Sequence, residues 1–421
     1  MLKKWYYLDR IKGENMKAYD IIDKKRLGGE LTSSEIKYFF TSPEIKDYQL
    51  SAMLMAITIN GMTVKETISL TKVFVDSGIT IDLSSVEGPV VDKHSSGGVG
   101  DKVSLILLPI LASTGIKSCK MSGRGLGLTG GTIDKLESIP GMNLNLSIPE
   151  MIEETKTIGM SLASQTVDLV PLDKKIYALR DVTATTESIP LIASSIMSKK
   201  IASGADYIFI DLKVGKGAFI KNKNDANYLE SLMLEIGKYF KKCVYVEQSN
   251  MDEPLGRCVG NKLEVIEAMA ILEGRENNNL SRLVSHMAIN IMSTVYNISN
   301  KAAAIVLREV IRTKAAYKKF EEFIKYQGGD LAKLKVRAKI YELKSEKDGY
   351  IKRIDALKIA HLTKDLGAGR DSKEDAIDYN VGIALSKLSG DYVKKGDILA
   401  KIYYNETYPD INLALESFII E

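Results

Sequence analysis

Cysteine is scarce in this chain of 421 residues, which contains Cys119, Cys243 and Cys258 and no other. The three are widely spaced and form no Cys-x-x-Cys pair, which argues against a disulfide framework or a zinc cluster. Such sparse use of cysteine is typical of a reducing compartment. We therefore expect packing roles for all three and a cytoplasmic location for the chain.

Long apolar runs are missing as well. The longest, 103–112, is interrupted by Ser104 and Pro109 and is far shorter than the roughly 20 residues that a membrane helix requires. The first fifteen residues carry lysines but lack the apolar core of a secretory signal. We expect residues 1–15 to be an N-terminal extension upstream of Met16, and we expect no membrane partner.

The charge balance excludes another class of protein. Lys and Arg number 58 against 54 Asp and Glu, a net charge of +4, and no long basic block stands out. Nucleic-acid-binding domains usually concentrate positive charge on one face, so we expect no nucleic-acid partner. A small anionic substrate fits this balance better, and the length favours two or three domains.

Helical signals dominate residues 16–79. The stretches Thr32 to Glu35 and Thr63 to Glu66 have the spacing of capping boxes, and 47–60 has apolar residues at helical intervals. A second helical stretch follows at 172–203. The two segments together predict a helical lobe that is built from separate parts of the chain.

The remaining sequence predicts two further domains in an α/β fold. From Pro89 a short strand, a glycine loop and an apolar helix follow one another, and a strand returns at 205–215. These features predict a larger α/β domain over 80–171 and 204–341, with a phosphate-binding glycine loop. Short β-like stretches separated by Gly-containing turns predict a small α+β domain over 342–421.

The first candidate site is the stretch KHSSGGVGD, residues 93–101, with Ser104 beyond it. Glycines let backbone N–H groups turn toward an anion, a following helix adds partial positive charge, and Lys93 and the hydroxyls complete a phosphate cradle. A Gly-rich loop alone is weak evidence, since a tight turn with solvated polar residues explains it equally well.

The second candidate site is the stretch KMSGRGLGLTGGTIDKLE, residues 120–137. Glycine costs backbone entropy, so glycines this dense among hydroxyls and charges indicate a conformational need or a close approach to a ligand. Packing alone is a poor explanation for this composition.

Together the two stretches resemble the pyrimidine-nucleoside phosphorylase family, whose signature is matched closely by SGRGLGLTGGTIDKLE at 122–137. The resemblance continues through DKKIYALRDVTATTESIPLIASSIMSKKIASGAD at 173–206 and GDYVKKGDILAKIY at 390–403. Only residues 1–15 lie outside it. It departs at Leu128, where the family usually has a histidine that could make a polar contact.

The resemblance implies roles for individual residues. The expected phosphate-binding positions are Lys93, Ser95, Ser104, Lys120, Met121, Ser122 and Thr132. The expected pyrimidine-binding positions are His94, Arg180, Ser195 and Lys199, of which His94, Arg180 and Lys199 are the expected catalytic residues. Because Ser195 and Lys199 stand four apart on a predicted helix, their side chains should point the same way.

The implied reaction is phosphorolysis of uridine, thymidine and deoxyuridine to the free base and an α-(deoxy)ribose 1-phosphate, in pyrimidine salvage. Lys120 supports the inclusion of uridine, because family members that accept uridine tend to carry lysine there. Inorganic phosphate would be a co-substrate, with no organic cofactor. The family also implies a homodimer through the helical lobe and a K⁺ site at Gly100, Lys102, Leu255, Cys258 and Glu267, with four backbone carbonyls and one carboxylate.

Each residue also has a simpler explanation. His94 could be a hydrogen-bonded structural residue, Arg180 with Asp181 a surface ion pair, Lys199 with Lys200 solvated charges, and Lys120 an exposed lysine at a strand end. Two other functions stay open. One is an anthranilate-type phosphoribosyltransferase, and the other is a non-catalytic nucleoside- or phosphate-binding protein.

Overall fold

The structure is a computed structural model that describes residues 17–125, 130–165, 169–370, 372 and 375–421. The predicted extension at 1–15 and the departure at Leu128 lie outside the described residues.

The described residues form sixteen α-helices and twelve β-strands, which are numbered here in chain order. The helices are α1 (Ala18–Arg26), α2 (Ser33–Thr41), α3 (Asp47–Asn60), α4 (Val64–Asp76), α5 (Val103–Ser113), α6 (Thr132–Glu137), α7 (Ile148–Ile158), α8 (Pro171–Val182), α9 (Ile189–Ala202), α10 (Lys223–Tyr239), α11 (Asn261–Leu272), α12 (Asn279–Tyr296), α13 (Asn300–Arg312), α14 (Ala315–Tyr326), α15 (Ala356–Thr363) and α16 (Ile411–Glu416). The strands are β1 (Val91–Ser95), β2 (Ser118–Ser122), β3 (Met160–Ser164), β4 (Tyr207–Val214), β5 (Cys243–Asn250), β6 (Cys258–Val259), β7 (Lys339–Lys344), β8 (Gly349–Ile354), β9 (Gly382–Leu385), β10 (Tyr392–Val393), β11 (Ile398–Tyr404) and β12 (Phe418–Ile420).

The chain divides into two compact units. The first, the helical unit, comprises Met1–Ile81, Val167–Gly204 and Asn227–Val244. Its core includes Phe39 and Phe74 from the first segment and Ile176 and Leu191 from the second. The prediction of a helical lobe built from separate chain segments is therefore confirmed. The lobe also includes 227–244, a segment that the sequence predicts to lie in the α/β domain.

The predicted capping boxes set the starts of two helices in this unit. The backbone N–H of Glu35 donates to the Thr32 hydroxyl at 3.2 Å, and the Thr32 N–H donates to the Glu35 carboxylate at 2.6 Å. Thr63 and Glu66 form the same reciprocal pair at 3.2 and 2.7 Å. Each box pairs backbone N–H groups that have no partner within the helix itself.

The second unit comprises Asp82–Thr166, Ala205–Ala226 and Tyr245–Glu421. Strand β1 pairs in parallel with β4, with Ser95 opposite Asp211, and β2 pairs in parallel with β3. A parallel bridge between Val90 and Lys117 connects the two pairs. The carboxyl ends of β1 and β2 therefore lie at one edge, where α/β proteins commonly bind their ligands.

Helix α5 lies at the centre of this unit. Its residues from Val103 to Leu111 are all buried, including Pro109 inside the helix. A helix that is apolar on every side must be enclosed on every side. This burial fixes the helix start, where Ser104 lies, against the core.

The carboxyl-terminal part of the second unit has its own hydrophobic cluster. Strand β11 pairs antiparallel with both β7 and β9, and β8 pairs antiparallel with β10 and β12. Helix α15 contributes Ile359 and Leu362 to the cluster between these strands. The predicted α+β character of this region is confirmed.

Cys119 is buried, as expected for a packing residue, whereas Cys243 is exposed, so a packing role for all three cysteines is wrong. Among the residues that the structure describes, no helix combines the length and apolar character needed to cross a membrane.

Candidate active site

Apart from His94 and the expected K⁺ ligands, which lie in the second unit, the expected site residues fall into two groups, one in each unit. The strand-end cluster lies in the second unit and comprises Lys93, Ser95, Ser104, Lys120, Met121, Ser122 and Thr132. The helical cluster lies in the helical unit and comprises Arg180, Ser195 and Lys199.

Lys93 is the most buried cation of the strand-end cluster. Its side chain is 0% exposed, and its Nζ lies 3.4 Å from Oδ2 of Asp211. The same carboxylate oxygen lies 2.6 Å from Nζ of Lys213. The Lys93 Nζ forms no hydrogen bond within the described residues. A buried ammonium without hydrogen bonds is costly unless a ligand supplies acceptors, which fits an anion site.

Ser95 and Asp101 form a second contact in this cluster. The Ser95 hydroxyl donates to a carboxylate oxygen of Asp101. Burial alone would raise the pKa of Asp101, but the charges of Lys93 and Lys213 and the Ser95 hydrogen bond hold it well below its usual range. Asp101 therefore stays ionised and offsets part of the local positive charge.

Lys120 is 3% exposed, so the explanation of an exposed strand-end lysine is wrong. Its Nζ donates to the backbone carbonyl of Lys93 at 2.5 Å and lies 3.8 Å from Oδ1 of Asp92. Met121 is buried beside it, and Ser122 ends the strand. The Lys120 side chain thus connects the middle of β2 to the middle of β1.

Two helix starts carry the remaining members of the cluster. Ser104 is buried in the first turn of α5, and Thr132 is the first residue of α6. Asp134 holds the loop before α6, since its Oδ2 accepts the N–H groups of Gly125 at 2.6 Å and Gly131 at 2.8 Å. Arg370 from the carboxyl-terminal region binds the same carboxylate at 2.9 Å.

Glycine in the 97–100 loop has a packing explanation at two positions. A Cβ at Gly98 would lie 2.1 Å from Sδ of Met251, and one at Gly100 would lie 2.6 Å from the carbonyl oxygen of Leu255. The expectation that the loop glycines exist to expose N–H groups to an anion gains no support here. His94 precedes this loop, half-buried on β1 and opposite Ile210 of β4.

Ser195 and Lys199 lie together on α9, as predicted. The Lys199 Nζ donates to the Ser195 hydroxyl at 2.8 Å and to the carboxylate of Asp173. Asp173 is buried on α8. Lys200 is also buried, so the explanation of Lys199 and Lys200 as two solvated charges is wrong.

Arg180 is 2% exposed, so a surface ion pair with Asp181 is also wrong. Its guanidinium donates to the carbonyls of Thr185 at 3.2 Å, Thr186 at 2.8 Å and Leu191 at 3.3 Å. Burial lowers the pKa of this arginine, and the Asp173 carboxylate opposes that effect. Arg180 therefore fixes the connection from α8 to α9 while lying close to the counterion of Lys199.

The residues expected to bind K⁺ meet at one point of the second unit, but they do not fit the ion. The ammonium of Lys102 donates to the carbonyls of Leu255 at 2.9 Å and Cys258 at 2.6 Å, and lies 2.7 Å from Oε2 of Glu267. Burial alone would lower the pKa of Lys102, but the carboxylates of Glu267 and Glu264 outweigh it and raise the pKa. Three of the five oxygens expected for K⁺ are thus already bound to a cation.

Sequence reasoning missed several charged residues around the expected ones, among them Asp173, which binds Lys199, Asp211, which lies beside Lys93, and Lys213, which pairs with Asp211. The signal for two of them was available, because Asp211 and Lys213 alternate with apolar residues in the buried strand β4. Charges at alternate positions of an apolar strand indicate a shared function on one face. Asp173 gave no such signal, since an acid in a first helical turn is common.

Three segments of the chain match models of known domain families. Residues 19–78 match the helical bundle domain of a glycosyl transferase family, and residues 87–317 match its a/b domain. An anthranilate phosphoribosyltransferase from Thermus thermophilus has a similar fold, with a TM-score of 0.58 at 16% identity over 73% of this chain and 99% of the other. Fold and site together define a protein of the glycosyl transferase class.

A third family match, in the carboxyl-terminal region, shows which glycosyl transferases this chain resembles most specifically. Residues 350–415 match the pyrimidine nucleoside phosphorylase C-terminal domain. The chain is 45% identical to a pyrimidine-nucleoside phosphorylase of Geobacillus stearothermophilus over 94% of each, and 44% identical to one of Bacillus subtilis (strain 168) over 96% of this chain and 97% of the other. The chain belongs to the pyrimidine-nucleoside phosphorylase family.

Proposed function

We propose that this chain catalyses the phosphorolysis of pyrimidine nucleosides, giving the free base and an α-(deoxy)ribose 1-phosphate. The observation that carries the proposal is the ammonium of Lys93 on β1. It is buried and forms no hydrogen bond within the described residues. Family membership at 45% identity over 94% of the chain supports the same reaction.

The strand-end cluster would hold phosphate as the nucleophile. Lys93 supplies charge, while Ser95, Ser104, Ser122 and Thr132 offer hydroxyl donors near strand and helix ends. Phosphate would attack C1′ of the sugar as the bond to the base breaks, with inversion at C1′. No covalent enzyme intermediate and no organic cofactor is required.

The helical cluster would stabilise the departing base. As the glycosidic bond breaks, negative charge gathers on the ring nitrogen and carbonyl oxygens of the pyrimidine, and cationic donors lower the free energy of that state. Lys199 and Arg180 are the cations of this cluster, and His94 would donate a hydrogen bond or proton. Asp173 keeps Lys199 oriented through the contact between their side chains.

Lys120 supports the inclusion of ribonucleosides among the substrates. Its buried ammonium already binds the Lys93 carbonyl and lies near Asp92, so it is a fixed donor at the strand end. We propose that uridine, thymidine and deoxyuridine are all cleaved, in pyrimidine salvage. An enzyme that cleaves thymidine and leaves uridine intact would contradict this range.

Homodimerisation through the helical unit and a cytoplasmic location are part of the proposal, on the resemblance alone. Light scattering during gel filtration and fractionation of the source cell would check them. K⁺ is not part of the proposal, because the ammonium of Lys102 already binds three of the five oxygens expected for it.

The deciding experiment is release of uracil and thymine from uridine, thymidine and cytidine, with and without inorganic phosphate. Base release that depends on phosphate, with a sugar 1-phosphate as the second product, is the expected result. A parallel reaction with anthranilate and phosphoribosyl pyrophosphate tests the phosphoribosyltransferase alternative. Pyrimidine binding without any base release would favour a non-catalytic binding protein instead.

A further inference from the structure

We infer that the ammonium of Lys102 permanently replaces the monovalent cation that the family resemblance implies, so that this chain neither binds nor needs K⁺ at that position. The inference concerns the chain's own side chain and holds for the folded protein before any substrate binds. Only its activity readout rests on the proposed function.

The geometry at Lys102 uses the whole donor capacity of an ammonium. A lysine ammonium has three N–H donors, and three oxygens surround it: the carbonyls of Leu255 and Cys258 and Oε2 of Glu267, at 2.9, 2.6 and 2.7 Å. The side chain is 0% exposed. Each donor therefore has a protein acceptor, and the ammonium needs no water.

Glu267 is held in place for this contact from several sides. Its Oε1 accepts the backbone N–H of Arg257 at 2.6 Å and the side-chain amide of Asn278 at 2.8 Å, and its Oε2 accepts the N–H of Cys258 at 2.9 Å. A Cβ at Gly256 would lie 2.4 Å from Oε1. A carboxylate fixed in this way forms a rigid site for one positive charge.

A second cation at this position would be unfavourable. K⁺ would have to displace the ammonium from the same oxygens and leave it buried without acceptors, or else lie beside it. Two positive charges at contact distance in a buried site repel strongly. The two remaining expected oxygens also accept hydrogen bonds, the Gly100 carbonyl from the N–H of Lys102 and the Lys102 carbonyl from the N–H of Leu105, each at 3.0 Å.

The position of Lys102 in the chain indicates the role of its buried ammonium. Lys102 ends the loop that follows β1 and is the residue before α5, so it lies between Ser95 and Ser104 in the chain. Its ammonium fastens that loop to 255–258 and to helix α11. Lys102 is thus a positioning residue for the strand-end cluster, and it performs this task without an ion from solution.

The test compares the wild-type protein in potassium chloride and in tetramethylammonium chloride at equal ionic strength. Two quantities are measured: the Tm and the rate of phosphate-dependent base release. We expect the Tm to agree within about 1 °C and the rates within about 1.5-fold, because no site is open to K⁺. A Tm or rate that rises clearly with K⁺ would overturn the inference.

The Lys102→Ser variant should open the site. Serine removes the charge, leaves an oxygen, and suits the position before a helix. In tetramethylammonium chloride we expect a Tm at least about 5 °C below wild type, because the Glu267 carboxylate loses its partner. Potassium should restore part of the Tm and raise base release about 10-fold in a saturable manner.

Lys25→Thr is the matched control, since Lys25 and Glu66 form another buried pair at 2.8 Å. Its Tm should fall equally in both salts. If Lys102→Ser responds to K⁺ no more than this control, Lys102 is an ordinary ion-pair residue and the inference fails. If Lys102→Ser does not fold, the wild-type comparison decides alone. A wild type whose Tm ignores K⁺ but which releases no base would refute only the proposed function.

Discussion

At the residue scale, the proposed base-binding cation is held by a buried acid. Lys199 reaches Asp173 on α8 and Ser195 on its own helix α9. Such a pair fixes the ammonium in one direction, and the fixed direction matters because a donor stabilises a developing charge only where that charge appears.

Replacing Lys199 by methionine should therefore lower kcat/KM for uridine phosphorolysis by about 10²–10³-fold, the usual cost of losing one such donor. Initial rates of uracil release would measure the loss. Lys175→Met is the control, because Lys175 is an exposed lysine on α8 that pairs with Asp47 at 3.0 Å on the surface. Wild-type kcat/KM in Lys199→Met would refute the assigned role.

The raised pKa of Glu154 predicts that the stability of the folded protein depends on pH. Burial raises the pKa of Glu154 to about 7 from 4.5, against opposing hydrogen bonds from Ser161 and Gln327. The folded state thus binds the proton more tightly than the unfolded state. This contribution to stability is complete below the unfolded pKa and is lost as pH rises through the folded one.

The variant Glu154→Gln, which cannot titrate, isolates this effect. Between about pH 5 and about pH 8, the free energy of unfolding of wild type should fall by about 2 kcal/mol more than that of the variant. Urea unfolding at several pH values measures both. Parallel pH curves for the two proteins would show that Glu154 does not titrate differently on folding.

For the site, local sequence patterns could predict contacts within one helix but not contacts between distant parts of the chain. The spacing of Ser195 and Lys199 correctly placed them on one helical face. The resemblance placed Lys102 and Glu267, 165 positions apart in the printed chain, in one expected K⁺ site, but nothing in the sequence revealed that their side chains would form a buried ion pair. Such contacts depend on tertiary packing, which local patterns do not encode.

At the scale of the element, local signals predicted the starts of α2 and α4 and both ends of α3. Helix α3 spans Asp47–Asn60, the range given by its apolar spacing, and Gly61 with a φ of +70° ends it. The second helical stretch became two helices, α8 and α9, because the turn between them is closed by Arg180. The connection, 183–188, contains neither glycine nor proline, and Arg180 donates to its carbonyls at Thr185 and Thr186.

The N-cap of α4 provides a test at this scale. Thr63→Ala removes the hydroxyl that accepts the Glu66 N–H and should lower the free energy of unfolding by about 1 kcal/mol. Thr58→Ala is the control, because the Thr58 hydroxyl donates only to the Leu54 carbonyl of its own helix. Urea denaturation compares the two, and equal losses would contradict the cap's contribution.

At the scale of the whole molecule, phosphate binding should be visible as stability. A ligand that binds only the folded state raises its stability by about 2.7 kcal/mol at a hundred times its Kd. Phosphate should therefore raise the Tm of wild type, and Lys93→Met should abolish the increase. Lys216→Met, which changes an exposed lysine just beyond β4, should keep it.

A shift that persists in Lys93→Met would place the anion elsewhere. Sodium chloride at the same ionic strength separates binding of phosphate from a general effect of ionic strength. Calorimetric titration with phosphate would give the affinity directly for all three proteins.

The helical unit also constrains the order in which the chain can fold during synthesis. Its core joins Phe39 and Phe74 to Leu191, so the first helices leave the ribosome long before their partners. At about 5–20 residues per second, that interval lasts on the order of 6–20 seconds. During this time a nascent chain exposes an incomplete apolar surface, which makes this stage of translation the one at which chaperones would have most to protect.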